Sequence, residues 1–404
     1  MKKFLLLLLA IIFITCTKEE DTNSPTNPDP MDQNDPTDPV DPEPFSQKDI
    51  ASVDQMVNLI LSKYSIPGAS LVVGRQGKLV YQKGYGYADK DAGVEVTPQS
   101  VFRLASVSKP YTAAGILKLV DEGFIALNDK IFGMDGLLGD DYGTPSDDRV
   151  YDITVDHLLY NTGGGWGVAS GGDPIDFAPE RNHQEFIEYV LEVWPLTHNP
   201  GAEYVYSNTG YWLLARVIER VSGMDYEDYL NEVLLKDTGI TTLHSTNFKL
   251  SDKQPNEVTY YDVGGDDGQF IYDRIATRRD GDGGLISSAP DVLRFINGID
   301  GFATKPDVFS GSTILKMHTP TPVFENWGRG LGVWQQQQVL YMYGSLPGTR
   351  TGWMRHNNGT SVVLLLNGNA GHRENFVFDI QDVLIDVVNK SPATWQDYDQ
   401  FEGK

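Results

Sequence analysis

Residues 101–131 read VFRLASVSKPYTAAGILKLVDEGFIALNDKI, and this stretch decides the fold. It contains a Ser-x-x-Lys pair, Ser106 and Lys109, where irregular sequence passes into a long run of apolar residues with helical spacing. Pro110 fits the first turn of a helix, where its missing N–H costs no hydrogen bond. The sequence therefore predicts a buried helix that begins at the serine, with the hydroxyl and the amine on one helix face.

That arrangement is typical of nucleophilic catalysis. A lysine three residues after a serine can take the proton of the serine hydroxyl, and the free N–H at the start of the helix would face a developing oxyanion. For Lys109 to act as a base, burial has to lower its pKa from near 10 by roughly three units. An isolated Ser-x-x-Lys is also typical of a helix cap followed by a solvated lysine, so the surrounding sequence has to decide.

A second candidate pair consists of Tyr206 and Asn208. Side chains two residues apart point the same way only where the backbone is extended, and the Pro-Gly pair at residues 200–201 indicates non-helical sequence before them. We therefore expect both side chains to face one cleft. Tyr229 and Asn231 match the same Tyr-x-Asn pattern, but they lie in helix-like sequence and we interpret them as structural.

Three further segments follow in order along the chain: ITVDHLLYNTGG at 153–164, PGAEYVYSNTGYWLLARVIERVSG at 200–223 and DGGLISSAPDVLRF at 282–295. Together with the Ser106 stretch they resemble the penicillin-recognising serine hydrolases. This family includes class C type β-lactamases, D-alanyl-D-alanine carboxypeptidases, D-aminopeptidases and related esterases. The resemblance covers roughly residues 47 to 390 and implies an α+β fold of the β-lactamase/transpeptidase type.

The two ends of the chain predict the same fold from their own patterns. Residues 50–64 have helical spacing, and residues 70–86 alternate around a turn at Gly77, as in a β-hairpin. Near the other end, an Asn-Asn-Gly turn at 357–359 separates two strand-like runs, and residues 374–389 are helix-like. We expect an antiparallel sheet built from both chain ends, flanked by helices, with a mainly helical region inserted between them.

The resemblance also implies roles for the candidate residues. Ser106 is expected to be the nucleophile of an acyl-enzyme mechanism, with Lys109 and Tyr206 moving the protons. Asn208 would orient the substrate amide or ester. The backbone N–H of Ser345 would be the second donor to the oxyanion. Residues 163–173 and the inserted region would form the cleft walls that determine the substrate.

One position departs from the family pattern. Members usually carry Lys or His two residues before a glycine that is followed closely by Pro-Gly. Here Gly344 and the Pro-Gly pair at 347–348 are present, but the position of the cation is Met342. This weakens the expectation of a carboxypeptidase or β-lactamase, because both handle a free carboxylate. Arg350 or Arg355 could supply a charge from nearby, although a structural or solvated arginine is the simpler interpretation of each.

The sequence of the first residues indicates that the protein is exported, and these residues are not expected to be part of the folded domain. Residues 1–16 carry two lysines and an apolar run too short to span a bilayer, and they end at Cys16, which is the only cysteine. Its position resembles a lipoprotein signal with Cys16 as the lipidated residue, although residues 13–15 lack the usual small side chains; an ordinary cleaved signal is the alternative. Residues 17–46 predict a disordered Pro/Asp-rich tether. The hydrolase domain is expected at 47–392, with a C-terminal tail at 393–404.

Composition limits the partners. The formal net charge of −24 argues against nucleic acid as a ligand. The seven histidines show no metal-ligand spacing, and one cysteine cannot form a thiolate site, so no metal and no cofactor is expected. The expected partners are a small-molecule or peptide substrate with a carbonyl centre, and a membrane held through a lipid anchor at Cys16.

The sequence therefore predicts an exported serine hydrolase of the cell envelope, lipid-anchored to a membrane, that acts through an acyl-enzyme on an amide or an ester. Peptidase, esterase and β-lactamase-like activities all stay open. The alternative is a catalytically impaired relative that binds cell-wall fragments or a partner protein, which Met342 would explain. Reaction with an acylating or phosphonylating reagent separates the two, since a binding module need not react.

Overall fold

A computed structural model describes residues 46–167, 170–262, 269–272, 279–371 and 373–403, and Ser46–Lys404 forms one compact unit. The predicted signal peptide, Cys16 and nearly all of the predicted tether lie outside the described residues. No helix in the described part of the chain is long and apolar enough to cross a membrane.

The elements are named here in chain order. The α-helices are α1 (Ala51–Tyr64), α2 (Lys109–Asp121), α3 (Val155–Leu159), α4 (His183–Val193), α5 (Asn208–Ser222), α6 (Tyr226–Tyr229), α7 (Gln269–Tyr272), α8 (Ala289–Asn297), α9 (Gly311–His318) and α10 (Phe376–Val388). The strands are β1 (Gly68–Arg75), β2 (Lys78–Asp89), β3 (Val94–Glu95), β4 (Val101–Arg103), β5 (His244–Ser245), β6 (Tyr261–Asp262), β7 (Leu285–Ser288), β8 (Gly332–Trp334), β9 (Val339–Leu346), β10 (Thr349–Arg355), β11 (Thr360–Leu366) and β12 (Gly368–Asn369).

A seven-stranded sheet joins the two ends of the chain, in the order β3-β2-β1-β11-β10-β9-β8. The pairs in it are antiparallel, and β1 from the N-terminal half lies directly against β11 from the C-terminal half. Between these two groups of strands the chain is mainly helical and carries a small sheet of β4, β7 and β5. The predicted α+β architecture is therefore confirmed.

Helices cover both faces of the large sheet, which explains why its central strands are apolar at nearly every position. In β11, Leu364 packs in the cluster that contains α1 and α10. Its neighbour Leu365 packs in the larger cluster that contains α2, α5 and α8. Successive side chains of a strand face opposite sides, so both faces require apolar residues, each contributing roughly 1.5–3 kcal/mol when fully buried.

The segment separated in the sequence as a C-terminal tail packs on this domain. Trp395 is buried and its ring lies 5.9 Å from that of Tyr81 on β2. The carboxylate of Asp399 accepts a hydrogen bond from the backbone N–H of Leu79 at 3.0 Å. The domain of the described residues therefore continues beyond residue 392, through contacts that the polar composition of the segment does not predict.

Candidate active site

The serine lies at a sharp turn between a strand and a helix. Strand β4 ends at Arg103, a 3₁₀ helix spans Ala105–Ser108, and α2 begins at Lys109. Ala105 has a φ of +51°, a left-handed conformation that costs an L-residue on the order of 1–2 kcal/mol. The sequence predicted an α-helix from Ser106 onward; the 3₁₀ turn found instead brings positions three apart almost into register, so Ser106 and Lys109 face the same side.

Lys109 connects the predicted catalytic residues. Its Nζ donates hydrogen bonds to Ser106 Oγ at 3.3 Å, to Asn208 Oδ1 at 2.7 Å and to the carbonyl oxygen of Asp282 at 2.8 Å. The side chain is fully buried, and this burial lowers the pKa of Lys109 to about 8. Asp282 and other carboxylates nearby oppose this shift, because they favour the charged amine. With a pKa of about 8, Lys109 is available as a neutral base at mildly alkaline pH.

Tyr206 lies on the other side of the serine. The lysine Nζ lies 4.7 Å from the centre of the Tyr206 ring, and the ring of Trp327 meets it edge-on at 5.7 Å. Burial raises the pKa of the Tyr206 hydroxyl, while a hydrogen bond from Ser106 opposes the rise. The phenol is therefore protonated at neutral pH and can donate a proton.

Asn208 is the first residue of α5, so the extended backbone predicted for the Tyr-x-Asn pair ends at Ser207 and Asn208 itself is helical. Ser207 caps the helix through a hydrogen bond from the backbone N–H of Gly210 to its hydroxyl, at 2.9 Å. Tyr206 and Asn208 both contact Lys109, as the shared cleft required. The other Tyr-x-Asn pair lies elsewhere: Tyr229 donates to the carbonyl of Gly115 and Asn231 to that of Leu243, so both are structural.

Strand β9 forms the wall opposite. Gly344 packs on the backbone just before the serine, where an added Cβ would lie 2.3 Å from the carbonyl oxygen of Leu104. Leu346 and Thr349 flank a two-residue turn and form a hydrogen-bonded pair, so the next pair, Ser345 and Arg350, is a non-hydrogen-bonded one. The backbone N–H of Ser345 therefore points away from β10, in the direction expected of an oxyanion donor.

Side chains alternate between the two faces of a strand, and this determines which of the remaining candidate residues face the site. Met342 shares a face with Gly344, is 4% exposed and packs in the cluster that contains α2. The position of the expected cation is therefore apolar and next to the site. Arg350 pairs with Ser345, and the side chains of this pair lie on the opposite face of the sheet from those of Gly344 and Met342. Arg350 therefore does not face the site, and the prediction that it binds substrate is wrong. Arg355 is distant too, since it donates to the carbonyl of Asp300 and lies over the ring of Phe302.

The sequence interpretation missed a group of charged residues that adjoins Lys109. Asp173 and Asp282 are each 1% exposed. Arg279 donates to Asp282 at 2.7 Å and to Asp176 at 3.0 Å. These residues affect the pKa of Lys109, Arg279 by lowering it and the carboxylates by raising it. The one available signal was the Asp-Pro pair at 173–174, which is typical of a helix start.

Among the described residues, no group of three or more His, Cys, Asp or Glu side chains could hold a metal ion. The site consists of a serine, a buried amine, a phenol, a carboxamide and the backbone N–H of Ser345, which points away from β10, on an α+β scaffold. A fold and site of this kind define the class of serine acyl-transfer hydrolases.

The comparison with protein families agrees with that class. The Beta-lactamase family model matches residues 51–383, which is most of the chain. The chain belongs to the beta-lactamase family.

Similarity to individual proteins is moderate. Protein flp of Staphylococcus aureus (strain MW2) is 32% identical over 200 residues, which cover 49% of this chain and 39% of that protein. Penicillin-binding protein 4* of Bacillus subtilis (strain 168) is 26% identical over 318 residues, 74% of this chain and 67% of that one. The octameric penicillin-binding protein homologue from Pyrococcus abyssi has a TM-score of 0.65 and 25% identity, covering 84% of this chain and 78% of that chain. The match thus spans about two fifths of the first relative's length.

Proposed function

We propose that this protein is a serine hydrolase that forms an acyl-enzyme at Ser106 on an amide or an ester. The observation that carries this proposal is the buried amine of Lys109, which bridges the serine hydroxyl and Asn208. A structural lysine gains nothing from full burial without a carboxylate in direct contact, because desolvation destabilises its charge. A base that must lose its proton near neutral pH requires that environment.

The two proton carriers have separate roles in this proposal. Lys109, with its pKa lowered to about 8 by burial, takes the proton of Ser106 as the hydroxyl attacks the carbonyl carbon. Tyr206, whose pKa is raised by burial, stays protonated and donates its proton to the leaving oxygen or nitrogen. The backbone N–H groups of Ser106 and Ser345 stabilise the negative charge on the carbonyl oxygen. Water then takes the place of the leaving group: it gives a proton to the Tyr206 phenolate as it attacks the acyl carbon, and Lys109 returns its proton to the Ser106 oxygen as the acyl bond breaks.

The preferred substrates are amides or esters without a free carboxylate next to the leaving group. Met342 gives this part of the site an apolar side chain where a cation would hold a carboxylate. Trp327, packed edge-on against Tyr206, extends the apolar surface. A substrate carboxylate would lose its hydration here without gaining a charged partner, at a cost of several kcal/mol.

The proposed location is the cell envelope, with the protein exported and held to a membrane by a lipid on Cys16. This part of the proposal rests on the sequence of residues 1–46 alone. Cys16→Ala should move the protein from the membrane fraction to the soluble fraction of lysed cells. Unchanged membrane association of the variant would refute the lipid anchor.

Mass spectrometry of the intact fragment from Ser46 onward tests the activity. The fragment is treated with a fluorophosphonate and, in a separate sample, with a fluorescent penicillin. A phosphonate adduct that is absent from Ser106→Ala establishes a reactive nucleophile. A penicillin adduct in addition would return the carboxylate-bearing cell-wall peptides to the list of substrates, against the expectation from Met342.

The second candidate is a binding protein without turnover, favoured by the single observation that Met342 replaces the expected cation. It predicts no adduct with either reagent, although the fragment is folded. That result would overturn the hydrolase proposal, and the variant Met342→His would then show whether the missing cation is the reason for the lost reactivity.

A further inference from the structure

The carboxylate of Asp173 is buried beneath the catalytic asparagine. Asp173 precedes a short 3₁₀ helix, Pro174–Asp176, and its side chain is 1% exposed. One carboxylate oxygen accepts the backbone N–H of Asn208 at 2.5 Å. The other accepts the backbone N–H of Thr209 at 3.1 Å and the Thr209 hydroxyl at 2.5 Å. A single side chain thus fixes the first two residues of α5 to the loop that contains Asp173.

These bonds continue to the nucleophile. Asn208 donates its backbone N–H to Asp173. Its side-chain oxygen accepts a hydrogen bond from the Lys109 amine at 2.7 Å. Lys109 in turn donates to Ser106 Oγ at 3.3 Å. The buried carboxylate is thus connected to the serine hydroxyl through the backbone N–H of Asn208, the side chain of the same residue and the amine of Lys109. A shift of the Asn208 backbone would change the position of the amine relative to the serine.

We propose that Asp173 is a positioning residue, which holds Asn208 so that Lys109 is aligned with Ser106. The inference rests on the proposed function, because alignment matters only if Lys109 takes the proton of the serine. A geometric error of about 1 Å at such a site can cost on the order of a hundredfold in rate. Asp173 does not touch the reacting atoms and acts through Asn208.

The electrostatic environment supports a functional role over a purely structural one. Burial raises the pKa of Asp173 to about 6, against the bonds from Thr209 and Asn208 that favour the charged form. Asp282 and Asp176 raise it further, and the other charged or titratable groups near it are Arg279, Lys109 and Tyr206. Because the folded-state pKa lies above the ordinary value of 3.8, ionisation of Asp173 lowers the stability of the fold as the pH rises from 3.8 to about 6, and this loss persists at higher pH. A carboxylate in this environment lowers the stability of the fold at neutral pH, so stability does not explain its presence.

The decisive variant is Asp173→Asn in the full-length protein. The amide oxygen of asparagine still accepts from Thr209, but its NH₂ group faces the N–H of Asn208 and cannot accept it. With a p-nitrophenyl ester as substrate, kcat should fall at least tenfold while KM stays within about threefold. The melting temperature at pH 7.5 should be unchanged or higher, because the buried charge is gone. A purely structural residue would lose melting temperature together with kcat.

The pH profile gives a second readout. In the wild-type protein, Asp173 becomes protonated below about pH 6, so log kcat should fall more steeply there than it does above pH 6. The variant Asp173→Asn should lack this additional steepness, while the titration of Lys109 remains in both proteins. Should Asp173→Asn fail to fold, Thr209→Val provides the test, since it removes the hydroxyl bond to Asp173 without a change in volume. It should lower kcat in the same direction by a smaller factor.

Asp147→Asn is the matched control. Asp147 also accepts backbone N–H groups at the start of a 3₁₀ helix, those of Arg149 and Leu196. The hydrogen bond from Arg149 is the largest cause that lowers the pKa of Asp147 to about 2, so its charge stabilises the fold at neutral pH. Asp147→Asn should therefore lower the melting temperature at pH 7.5 and leave kcat and the shape of its pH profile unchanged.

Crystal structures separate this inference from the proposed function. If the wild-type protein reacts with neither ester nor fluorophosphonate, the hydrolase proposal fails, and the structure of Asp173→Asn alone decides the positioning role. In the structure of Asp173→Asn, the bond between Asn208 Oδ1 and Lys109 Nζ should be lost. Retention of this bond near its 2.7 Å length, or wild-type kcat in a reactive protein, would overturn the inference.

Discussion

At the scale of single residues, the site depends on one amine that is kept away from water. Lys109 makes three hydrogen bonds, to a hydroxyl, a carboxamide oxygen and a backbone carbonyl, and each of these partners can bind the charged or the neutral amine. Because no carboxylate in the described part of the chain forms an ion pair with this amine, burial dominates and the pKa of Lys109 falls to about 8. The Ser-x-x-Lys pattern predicted the pair, but the depth of burial depends on α5 and on the turn at Asp282, which lie far away in sequence.

The first prediction concerns the pH dependence of kcat/KM for a neutral ester. The base form of Lys109 is its neutral form, which is scarce below pH 8 and dominant above it, so kcat/KM should rise about tenfold per pH unit from about pH 6 to about pH 8 and then level off. Stopped-flow or plate-reader assays between pH 5 and 10 measure this. A profile that is flat between pH 6 and 9 would contradict the role of Lys109 as the base.

The second prediction concerns Met342→His. A histidine at this position can carry charge next to the site, so the ratio of kcat/KM for a carboxylate-bearing ester to that for its neutral analogue should rise roughly tenfold, as expected for one charge-assisted hydrogen bond. Met354→His is the matched control, because Met354 is equally buried in the neighbouring strand but faces the other side of the sheet. Equal changes of the ratio in both variants would refute the role of Met342.

At the scale of elements, the strands were predictable because their apolar patterns and turn residues are local. The hairpin around Gly77 and the turn before Gly359 both occur where the sequence placed them. The elements that complete the site were not predictable, since their partners are distant. Nothing near Asp173 in sequence indicates that it binds the first two backbone N–H groups of α5. Nothing near Arg350 gives the strand register that turns its side chain away from Ser106. Tertiary contacts determine both the bonds of Asp173 to α5 and the orientation of Arg350.

The third prediction tests the close approach of β9 to the nucleophile. In Gly344→Ala, the new Cβ would lie 2.3 Å from the backbone carbonyl of Leu104 and 2.3 Å from the Thr351 hydroxyl, so the strand must move. Because the N–H of Ser345 moves with it, kcat for an ester should fall by about a hundredfold, the usual effect of losing one oxyanion donor. Gly311→Ala is the control, with open space around the added Cβ and no expected effect on kcat. Wild-type kcat in Gly344→Ala would show that β9 does not contribute to the site.

At the scale of the whole molecule, the fold and the family follow from segments spread over the chain, and both were predictable. The four segments occur in the order expected of the family. The antiparallel sheet required only that a strand from each end of the chain meet, as β1 and β11 do. The end of the domain was less predictable. Residues 393–403 are polar on average, and their attachment depends on one tryptophan and a few specific hydrogen bonds, which leave little trace in composition.

The last prediction measures that attachment. Trp395 is 7% exposed and packs on Tyr81 in the cluster formed by α1, α10 and one face of the sheet. Trp395→Ala should therefore lower the free energy of unfolding by about 3 kcal/mol in urea titrations of the fragment from Ser46 onward. Phe378→Ala, which removes an aromatic ring that is 65% exposed on α10, should cost less than about 0.5 kcal/mol. Equal costs for the two variants would mean that the C-terminal segment is not part of the folded domain in solution, and the boundary at residue 392 would then be correct.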